Sequence, residues 1–419
     1  MILLNLAAPI FIFTYILIAL GENSPRKLDR PTSTLVGGVL MIISGSLSRQ
    51  AAFAAININT LVLLFGMMVL IVILLKSNFP TWLANRLLMR CRHPRTLLFW
   101  IILTGGVAAP LMLNDTVCLL GTPLLLEVAA QAGISAIPLL LALATSANIG
   151  SVMTLTGNPQ NMLIGYASEW TWSGFALRMV PIGLVCLIAD WAMLSLLFHK
   201  TLKNGLLNWP ESQASSLKVD WPVAIKGLIV FVGMTGAFLY GFPMDLTAVT
   251  AAAFLLVWVN RPPRQTLAEV DWSLILFFAG LFVVTEGFVK AENSLLRILE
   301  HHLNLQQTQI TWTLVWQFAG ISVVGSNVFS NVPLVLILSH WVKQAAHSGF
   351  FWLLLALTST FAGNLTLFGS MANIIVAQGS QGRERLSYVN FLYVGIPVTV
   401  VTTLIGVVCL LLFNFWGWL

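Results

Sequence analysis

The chain has 419 residues, of which 58% are hydrophobic and only 9% are charged. A soluble domain carries roughly 25% charged residues, so the composition excludes a soluble protein of this length. The formal net charge is +6, but the basic residues stand in short segments between long apolar runs. That distribution is typical of loops that set the orientation of a membrane protein, so we expect no nucleic-acid partner.

Eight apolar runs have the length of single membrane spans, since roughly 20 apolar residues in a helix cross a bilayer core of about 30 Å. They are 3–20, 33–48, 56–75, 175–198, 222–240, 244–260, 271–289 and 389–415. The first run lacks the preceding basic residues of a cleaved signal peptide, so we expect it to be retained as a span. Segments 78–93 and 291–303 carry basic and apolar residues at helical spacing, which predicts helices lying along the membrane surface.

Four longer apolar stretches are interrupted by polar, Gly or Pro residues. They are 97–130, 135–168, 311–342 and 349–378. Irregular backbone at membrane depth is tolerated only where protein buries it or where it lines a cavity. We therefore predict a re-entrant hairpin in the first and third stretches and a helix broken in its middle in the second and fourth.

The order of these segments in residues 1–198 repeats in residues 221–419, with a polar linker at 199–220. Asp115 and Asn148 have the same spacing as Asn331 and Asn364. Each half contains an odd number of crossings, so the second half should be inverted relative to the first. The predicted fold is an all-α integral membrane protein, with about ten transmembrane helices and two re-entrant hairpins in two inverted-topology repeats.

The basic residues predict one orientation. With the N-terminus outside, most of the 21 Lys and Arg residues fall in cytoplasmic loops. The outer side keeps only Arg49, Arg178, Lys290, Arg297 and Lys343. This asymmetry satisfies the positive-inside rule and predicts a multi-pass protein of the bacterial inner membrane, with both termini outside the cytoplasm.

Polar residues interrupt both hairpins near their middle. Asn114, Asp115 and Thr116 lie in the first, and Ser330 and Asn331 lie in the second. A charge at such depth costs at least ~2.5 kcal/mol on insertion scales, so it needs a partner or a water-filled cavity. We predict hairpin tips at a solute site; the alternative is a polar cluster that only packs helices.

The broken helices carry a second set of polar residues. The first break contains Asn148, Gly157, Asn158 and Asn161, and the second contains Asn364, Gly369, Ser370 and Asn373. Carbonyl groups freed by an unwound segment can hold Na⁺, while the N-terminus of a half-helix can face an anion. We expect any Na⁺ near Asn148, Gly157, Asn364 and Gly369; the alternative is a pair of simple helix kinks.

Two acids inside apolar stretches are candidates for ion coupling. Asp115 is the first, and Asp190, within the span 175–198, is the second. Asp190 could relay a proton or could be a hydrogen-bonded structural acid. Serine, histidine and cysteine form no plausible catalytic set and no Walker A motif occurs, so we predict no enzyme activity and no cofactor.

The paired motifs resemble those of the ion transporter superfamily, which contains arsenite permeases, sodium–proton antiporters, pink-eyed-dilution-type proteins, citrate transporters and divalent anion:sodium symporters. The resemblance extends over nearly the whole chain. It implies two hairpin tips that open from opposite sides beside two unwound helices. In the divalent anion symporters these tips contact substrate carboxylates and help to hold Na⁺. Here Asp115 adds a charge and Val332 lacks a hydroxyl, which looks more like the arsenite-permease and antiporter branches.

These observations predict a secondary active transporter that carries a small anion, either an inorganic oxyanion or a carboxylate, by alternating access with H⁺ or Na⁺ as the coupling ion. The alternatives are an arsenite or antimonite efflux permease, a Na⁺/H⁺ antiporter, and a channel. The expected partners are a small-molecule or ion substrate and the lipid bilayer, with a homodimer as one open assembly. Substrate, coupling ion and direction of transport stay open.

Overall fold

The chain is described by a computed structural model that covers residues 6–20, 28–203, 207, 218–291, 303–381, 384 and 386–418. Within these residues the chain is helical and has no strand, which confirms the predicted all-α class. Six of the helices are long and apolar enough to cross a membrane. Most of the linker predicted at 199–220 and of the surface helix predicted at 291–303 lies outside the described residues.

The described helices follow the same order in both halves. The first half has α1 (Ala7–Leu20), α2 (Arg30–Ile43), α3 (Arg49–Ala55), α4 (Ile58–Lys76), α5 (Phe79–Leu88), α6 (Pro94–Met112), α7 (Asn114–Ala132), α8 (Ile137–Ser151), α9 (Pro159–Ala167) and α10 (Trp172–Leu197). The second half has α11 (Trp221–Leu239), α12 (Met244–Trp258), α13 (Pro263–Ala268), α14 (Trp272–Lys290), α15 (Trp312–Phe329), α16 (Asn331–Val342), α17 (Ser348–Ala362), α18 (Met371–Gly379) and α19 (Tyr388–Phe415).

The start of α2 and the presence of two short helices differ from the prediction for local reasons. The span predicted at 33–48 begins earlier, at Arg30, because the Asp29 carboxylate accepts a hydrogen bond from the Thr32 amide and caps α2. The short helices α3 and α13 were not predicted, since segments of this length carry too few residues for a clear periodicity.

The helices form two groups. Helices α1–α4 and α11–α14, here called the frame, pack on one another, with α2 against α14 and α4 against α12. Helices α6–α10 and α15–α19, here called the hairpin bundle, include the pairs α6–α8, α15–α17 and α10–α19. The two groups meet at several places, including the contacts of α4 with α9, α14 with α16 and α10 with α11. Within the bundle, α6–α8 and α15–α17 are equivalent pairs, which is in line with two repeats. The inverted-repeat organisation stays a prediction.

The frame is held by close approach at two matched glycines. A Cβ added to Gly66 of α4 would lie 2.6 Å from the backbone of Ala248 in α12, and one added to Gly280 of α14 would lie 2.7 Å from the backbone of Thr34 in α2. Small residues at such crossings let helix backbones approach each other closely. The resulting van der Waals contacts stabilise helix association in lipid, where the hydrophobic effect does not favour it.

Candidate functional site

Each hairpin reverses direction at a strained residue. Leu113, between α6 and α7, has φ +68°, and Ser330, between α15 and α16, has φ +69°. Positive φ is uncommon for residues other than glycine. These reversals lie within the predicted hairpins and make Asn114 and Asn331 the first residues of the returning helices.

This geometry corrects the sequence alignment of the two halves. The equal spacings paired Asp115 with Asn331, but Asn114 and Asn331 both follow the positive-φ residue, so Asn114 is the structural counterpart. The same spacing paired Asn148 with Asn364. Asn148 lies inside α8, whereas Asn364 follows the end of α17. The number of residues that separates the two hairpins differs from the number that separates the two broken helices. No single shift in residue number therefore aligns both pairs.

The two breaks are closed by equivalent asparagines. The Nδ2 group of Asn161 donates to carbonyls of the first break, and that of Asn373 donates to carbonyls of the second. The acceptors are Ser151 (3.3 Å) and Thr154 (2.9 Å) in the first, and Gly363 (2.7 Å) and Thr366 (3.0 Å) in the second. Carbonyls freed by the breaks thus already accept amide protons. A carbonyl has a second lone pair, so Na⁺ at these breaks stays a prediction.

Gly157 joins the first tip to the first break. A Cβ at Gly157 would lie 2.2 Å from the carbonyl oxygen of Ser151, a distance that no other residue tolerates without a backbone shift. The carbonyl of Gly157 accepts a hydrogen bond from the backbone N–H of Asn114 at 3.2 Å. At the second break, a Cβ at Gly369 would lie 2.9 Å from Oδ1 of Asn327. Glycine therefore lets the unwound chain fold back on itself at both breaks.

Five predicted residues from both halves meet in one buried group, here called the central amide cluster: Asn114, Asn148, Asn364, Ser370 and Asn373. Asn148 is its centre. Its Nδ2 donates to Oδ1 of Asn364 and of Asn373, both at 2.9 Å. Its Oδ1 accepts from Nδ2 of Asn114 at 3.0 Å and from Oγ of Ser370 at 2.9 Å. Asn148 thereby uses both amide protons and both oxygen lone pairs.

Three asparagine oxygens around this cluster are buried and have no hydrogen-bond partner among the described residues: Oδ1 of Asn114, Asn161 and Asn331. The amides of Asn114 and Asn161 are oriented by bonds that their Nδ2 groups donate, so the free atoms are acceptors. A buried acceptor without a partner costs about 1–3 kcal/mol. Such oxygens suit a partner that donates hydrogen bonds or carries positive charge.

The remaining predicted residues lie around the cluster. Asn158 caps α9, accepting from the Asn161 amide at 2.8 Å, and its Nδ2 donates to Oγ of Ser151 at 2.8 Å. Thr116 is partly buried and Ser330 is exposed. The two tips thus differ: Leu113 is 3% exposed, whereas its counterpart Ser330 faces open space.

Asp115 lies beside the cluster and faces another helix. Asp115 is partly buried near the backbone of Ala372, in the first turn of α18, and lies within electrostatic range of Arg30 and Asp271. Among the described residues it forms no ion pair within 4 Å. The Nη1 atom of Arg30 is 3.3 Å from Sδ of Met371. The sequence placed Arg30 in a cytoplasmic loop, so a cation near the first tip was not foreseen.

Asp190 is fully buried on α10 and connects to the cluster through Thr145. Oδ2 of Asp190 accepts from Oγ1 of Thr145 at 2.9 Å, and the Thr145 carbonyl accepts from Nδ2 of Asn364 at 3.2 Å. Sequence reasoning missed Thr145. Its position one turn before Asn148 on the same apolar helix was the available signal.

Apolar helices that enclose a buried amide cluster, at the junction of helix breaks and a hairpin tip, define a multi-pass membrane transporter. Comparison with known proteins gives the particular family. The chain belongs to the CitMHS citrate transporter family, whose family model matches residues 15–362. This confirms the resemblance to the ion transporter superfamily.

Several named proteins are similar over most of their length. The silicon efflux transporter LSI3 of Oryza sativa subsp. japonica is 31% identical, over 91% of this chain and 92% of the relative. The 46 kDa membrane protein of Mycobacterium leprae is 25% identical, over 95% and 96%. The arsenical pump membrane protein of Escherichia coli is 25% identical, over 79% and 80%. The family and these names indicate a transporter and not an enzyme, as predicted.

Proposed function

We propose that this protein is a secondary active transporter that carries a small hydroxyl-bearing inorganic oxyanion, or its protonated oxyacid, past the central amide cluster. The observation that carries this proposal is the set of unpartnered oxygens of Asn114, Asn161 and Asn331. Hydroxyl groups of a solute would donate to these acceptors. A fully ionised carboxylate such as citrate would instead place its acceptor oxygens against them, at a cost in desolvation.

The relatives support the same solute class and suggest its direction. The rice relative is named for silicon efflux and the Escherichia coli relative for an arsenical pump. Silicic acid and arsenous acid are both small and carry several hydroxyl groups. We therefore propose efflux of such an oxyacid, coupled to H⁺ or Na⁺, as the function of this chain.

Na⁺/H⁺ antiport is the second candidate, because the same amide oxygens also suit a cation. Main-chain and amide oxygens at helix breaks coordinate Na⁺ in other transporters. Among the described residues, no group of three or more His, Cys, Asp or Glu side chains could hold a metal ion. A cation in this site would therefore depend mainly on amide and carbonyl oxygens.

Alternating access would be a movement of the hairpin bundle against the frame. The bundle carries every residue of the central amide cluster, and the frame meets it at α4–α9 and α14–α16. Two inverted repeats would allow each hairpin to open to one side of the membrane. We propose a bacterial inner membrane as the location, with both termini outside the cytoplasm.

Purified protein in proteoliposomes tests the solute class. Arsenite, silicic acid, phosphate, citrate and Na⁺ are supplied separately, with and without imposed pH and Na⁺ gradients. We expect arsenite or silicic acid to be transported and to raise the thermal unfolding temperature, since a ligand that binds only the folded state stabilises it. Transport of citrate without either oxyacid would overturn the proposal. Exchange of Na⁺ for H⁺ without an oxyacid would favour the second candidate.

A further inference from the structure

The carboxyl group of Asp190 is enclosed in the hairpin bundle, where little stabilises its ionised form. Its side chain is 0% exposed, its Oδ2 accepts from Thr145, and within the described part of the chain its Oδ1 has no hydrogen-bond partner. An ionised carboxylate so placed carries a desolvation cost of several kcal/mol, which one neutral hydrogen bond does not offset. A proton on the carboxyl group removes that cost.

The helices packed against α10 supply no counter-charge to Asp190. Those helices are α6, α8, α11 and α19. Their ionisable residues are Arg95 of α6, Lys226 of α11, and Tyr388, Tyr393 and Cys409 of α19. Among the described residues, none of these forms an ion pair or a hydrogen bond with Asp190. The buried thiol of Cys186 lies one turn earlier on α10.

The Thr145 hydroxyl can form a hydrogen bond with Asp190 in either protonation state of the carboxyl group. Its hydroxyl oxygen lies 2.9 Å from Oδ2 of Asp190 and 3.0 Å from the carbonyl oxygen of Leu141. With Asp190 ionised, the hydroxyl donates to the carboxylate. With Asp190 protonated, the carboxyl donates to the hydroxyl, which then donates to Leu141. A hydroxyl has one proton and two lone pairs, so both arrangements are complete.

Thr145 connects this acid to the proposed solute site, because its hydroxyl bonds Asp190 and its backbone carbonyl bonds the central amide cluster. The Thr145 carbonyl accepts from Nδ2 of Asn364, and Oδ1 of Asn364 accepts from Nδ2 of Asn148. Asn148 in turn holds Asn114, the first residue of the returning arm of the first hairpin. A displacement of the α8 turn that carries Thr145 can therefore reach the tip through packed, buried groups.

We infer that Asp190 binds and releases the coupling proton and that Thr145 transmits its protonation state to the central amide cluster. The inference rests on the proposed function and names H⁺ as the coupling ion. A proton fits the site better than Na⁺, since Na⁺ needs several oxygen ligands and only Oγ1 of Thr145 bonds the carboxylate. Asp115 is the weaker candidate, because the positive charge of Arg30 lies within electrostatic range of its carboxylate and favours the ionised form.

Infrared spectroscopy of the protein without solute tests the proton site itself. We expect the wild type to show the C=O stretch of a protonated carboxyl group in an apolar environment and Asp190→Asn to lack it. Thr145→Val keeps the carboxyl and removes its hydroxyl partner, so this band should shift. Cys186→Ala, a matched change one turn away, should leave it in place. A band that persists unchanged in Asp190→Asn would overturn the inference.

Flux in proteoliposomes tests coupling, with arsenite and silicic acid as probes. In the wild type, a pH gradient across the membrane should drive accumulation of the oxyacid inside the proteoliposomes. In Asp190→Asn, the ratio of inside to outside oxyacid should fall to the value measured with equal pH on both sides. Asp190→Glu should recover part of the response, and Cys186→Ala all of it. Gradient-driven accumulation by Asp190→Asn would overturn the coupling role. A wild type that moves neither oxyacid would contradict the proposed function, while the infrared band still decides whether Asp190 binds a proton.

Discussion

Asn148 and Asn364 come from different halves of the chain and are bonded side chain to side chain, with Nδ2 of Asn148 donating to Oδ1 of Asn364 over 2.9 Å. Both residues are buried, with 2% of Asn148 and 0% of Asn364 exposed to solvent. This contact joins the first broken helix to the second. It also lies on the path between the first hairpin tip and Asp190, which continues from Asn364 to the Thr145 carbonyl and from the Thr145 hydroxyl to Asp190.

Replacement of Asn148 should therefore affect both stability and transport. Asn148→Ala removes the hydrogen bonds of four buried groups, and each group left unsatisfied costs about 1–3 kcal/mol. The groups are Nδ2 of Asn114, Oγ of Ser370, Oδ1 of Asn364 and Oδ1 of Asn373. We expect a lower unfolding temperature in detergent and loss of oxyacid flux. Asn414→Ala, at the far end of α19, is the control and should change neither. Normal stability in Asn148→Ala would show that the cluster contributes little to the fold.

Substitution of the two tip asparagines should distinguish an effect on solute transport from an effect on protein stability. Asn114 is bonded to Asn148, so Asn114→Ala should lower both the unfolding temperature and the flux. Oδ1 of Asn331 has no hydrogen-bond partner among the described residues, so Asn331→Ala breaks no bond of this atom. We expect this variant to lose flux while its free energy of unfolding stays within about 0.5 kcal/mol of the wild type. Thermal unfolding and flux measured on the same samples check this. Full transport by Asn331→Ala would make the second tip a packing element only.

Much of this arrangement could be predicted from sequence, because a membrane imposes a length on each element. The span predicted at 271–289 is α14 (Trp272–Lys290), displaced by a single residue at each end. The first break was predicted at Gly157 and Pro159, and α9 begins at Pro159 because its ring suits the first turn of a helix. Hydrophobic length and Gly/Pro chemistry are local properties, so the sequence carries them directly.

The register between the halves and the partners across the bundle could not be predicted. Equal spacing suggested that Asp115 corresponds to Asn331, but the backbone reversal at Leu113 makes Asn114 the counterpart. Arg30 reaches Met371 only because α2 and α18 are brought together by packing. Such contacts depend on tertiary geometry, and no periodicity in one segment contains them.

Gly157 should be intolerant of any side chain. The added Cβ of Gly157→Ala would lie 2.2 Å from the carbonyl oxygen of Ser151, so the unwound segment must shift and the Asn114–Gly157 hydrogen bond must lengthen. We expect loss of flux and a lower unfolding temperature. Gly233→Ala on α11, where nothing lies within 4 Å, is the matched control and should be neutral or stabilising by about 0.4–1 kcal/mol. Comparable behaviour of the two variants would contradict the close approach.

Cysteine labelling can test the predicted orientation. Lys218 and Arg49 are both exposed, and the positive-inside rule places Lys218 in the cytoplasm and Arg49 outside. An impermeant thiol reagent applied to intact cells should label Arg49→Cys and spare Lys218→Cys, which should react only after the membrane is opened. Three of the native cysteines are buried, so their background should be low. The opposite labelling pattern would invert the topology.

Arg30 and Asp115 should act as a pair across the boundary between the frame and the hairpin bundle. Arg30 begins α2 of the frame and contacts Met371 at the start of α18, Asp115 lies in the first turn of α7, and the two charges are within electrostatic range of each other. Arg30→Gln and Asp115→Asn should each slow oxyacid flux, because each leaves a charge at membrane depth without its counter-charge.

The double variant decides whether the two effects are linked. If the residues interact, its loss should be smaller than the sum of the single losses, with a coupling energy of about 0.5–3 kcal/mol. Asp271→Asn is the control, since Asp271 also faces Asp115 but carries a like charge and caps α14, a role that asparagine retains. That variant should not slow flux. Flux measured for all four variants at low and high salt completes the cycle, and strictly additive losses would mean that Arg30 and Asp115 act independently.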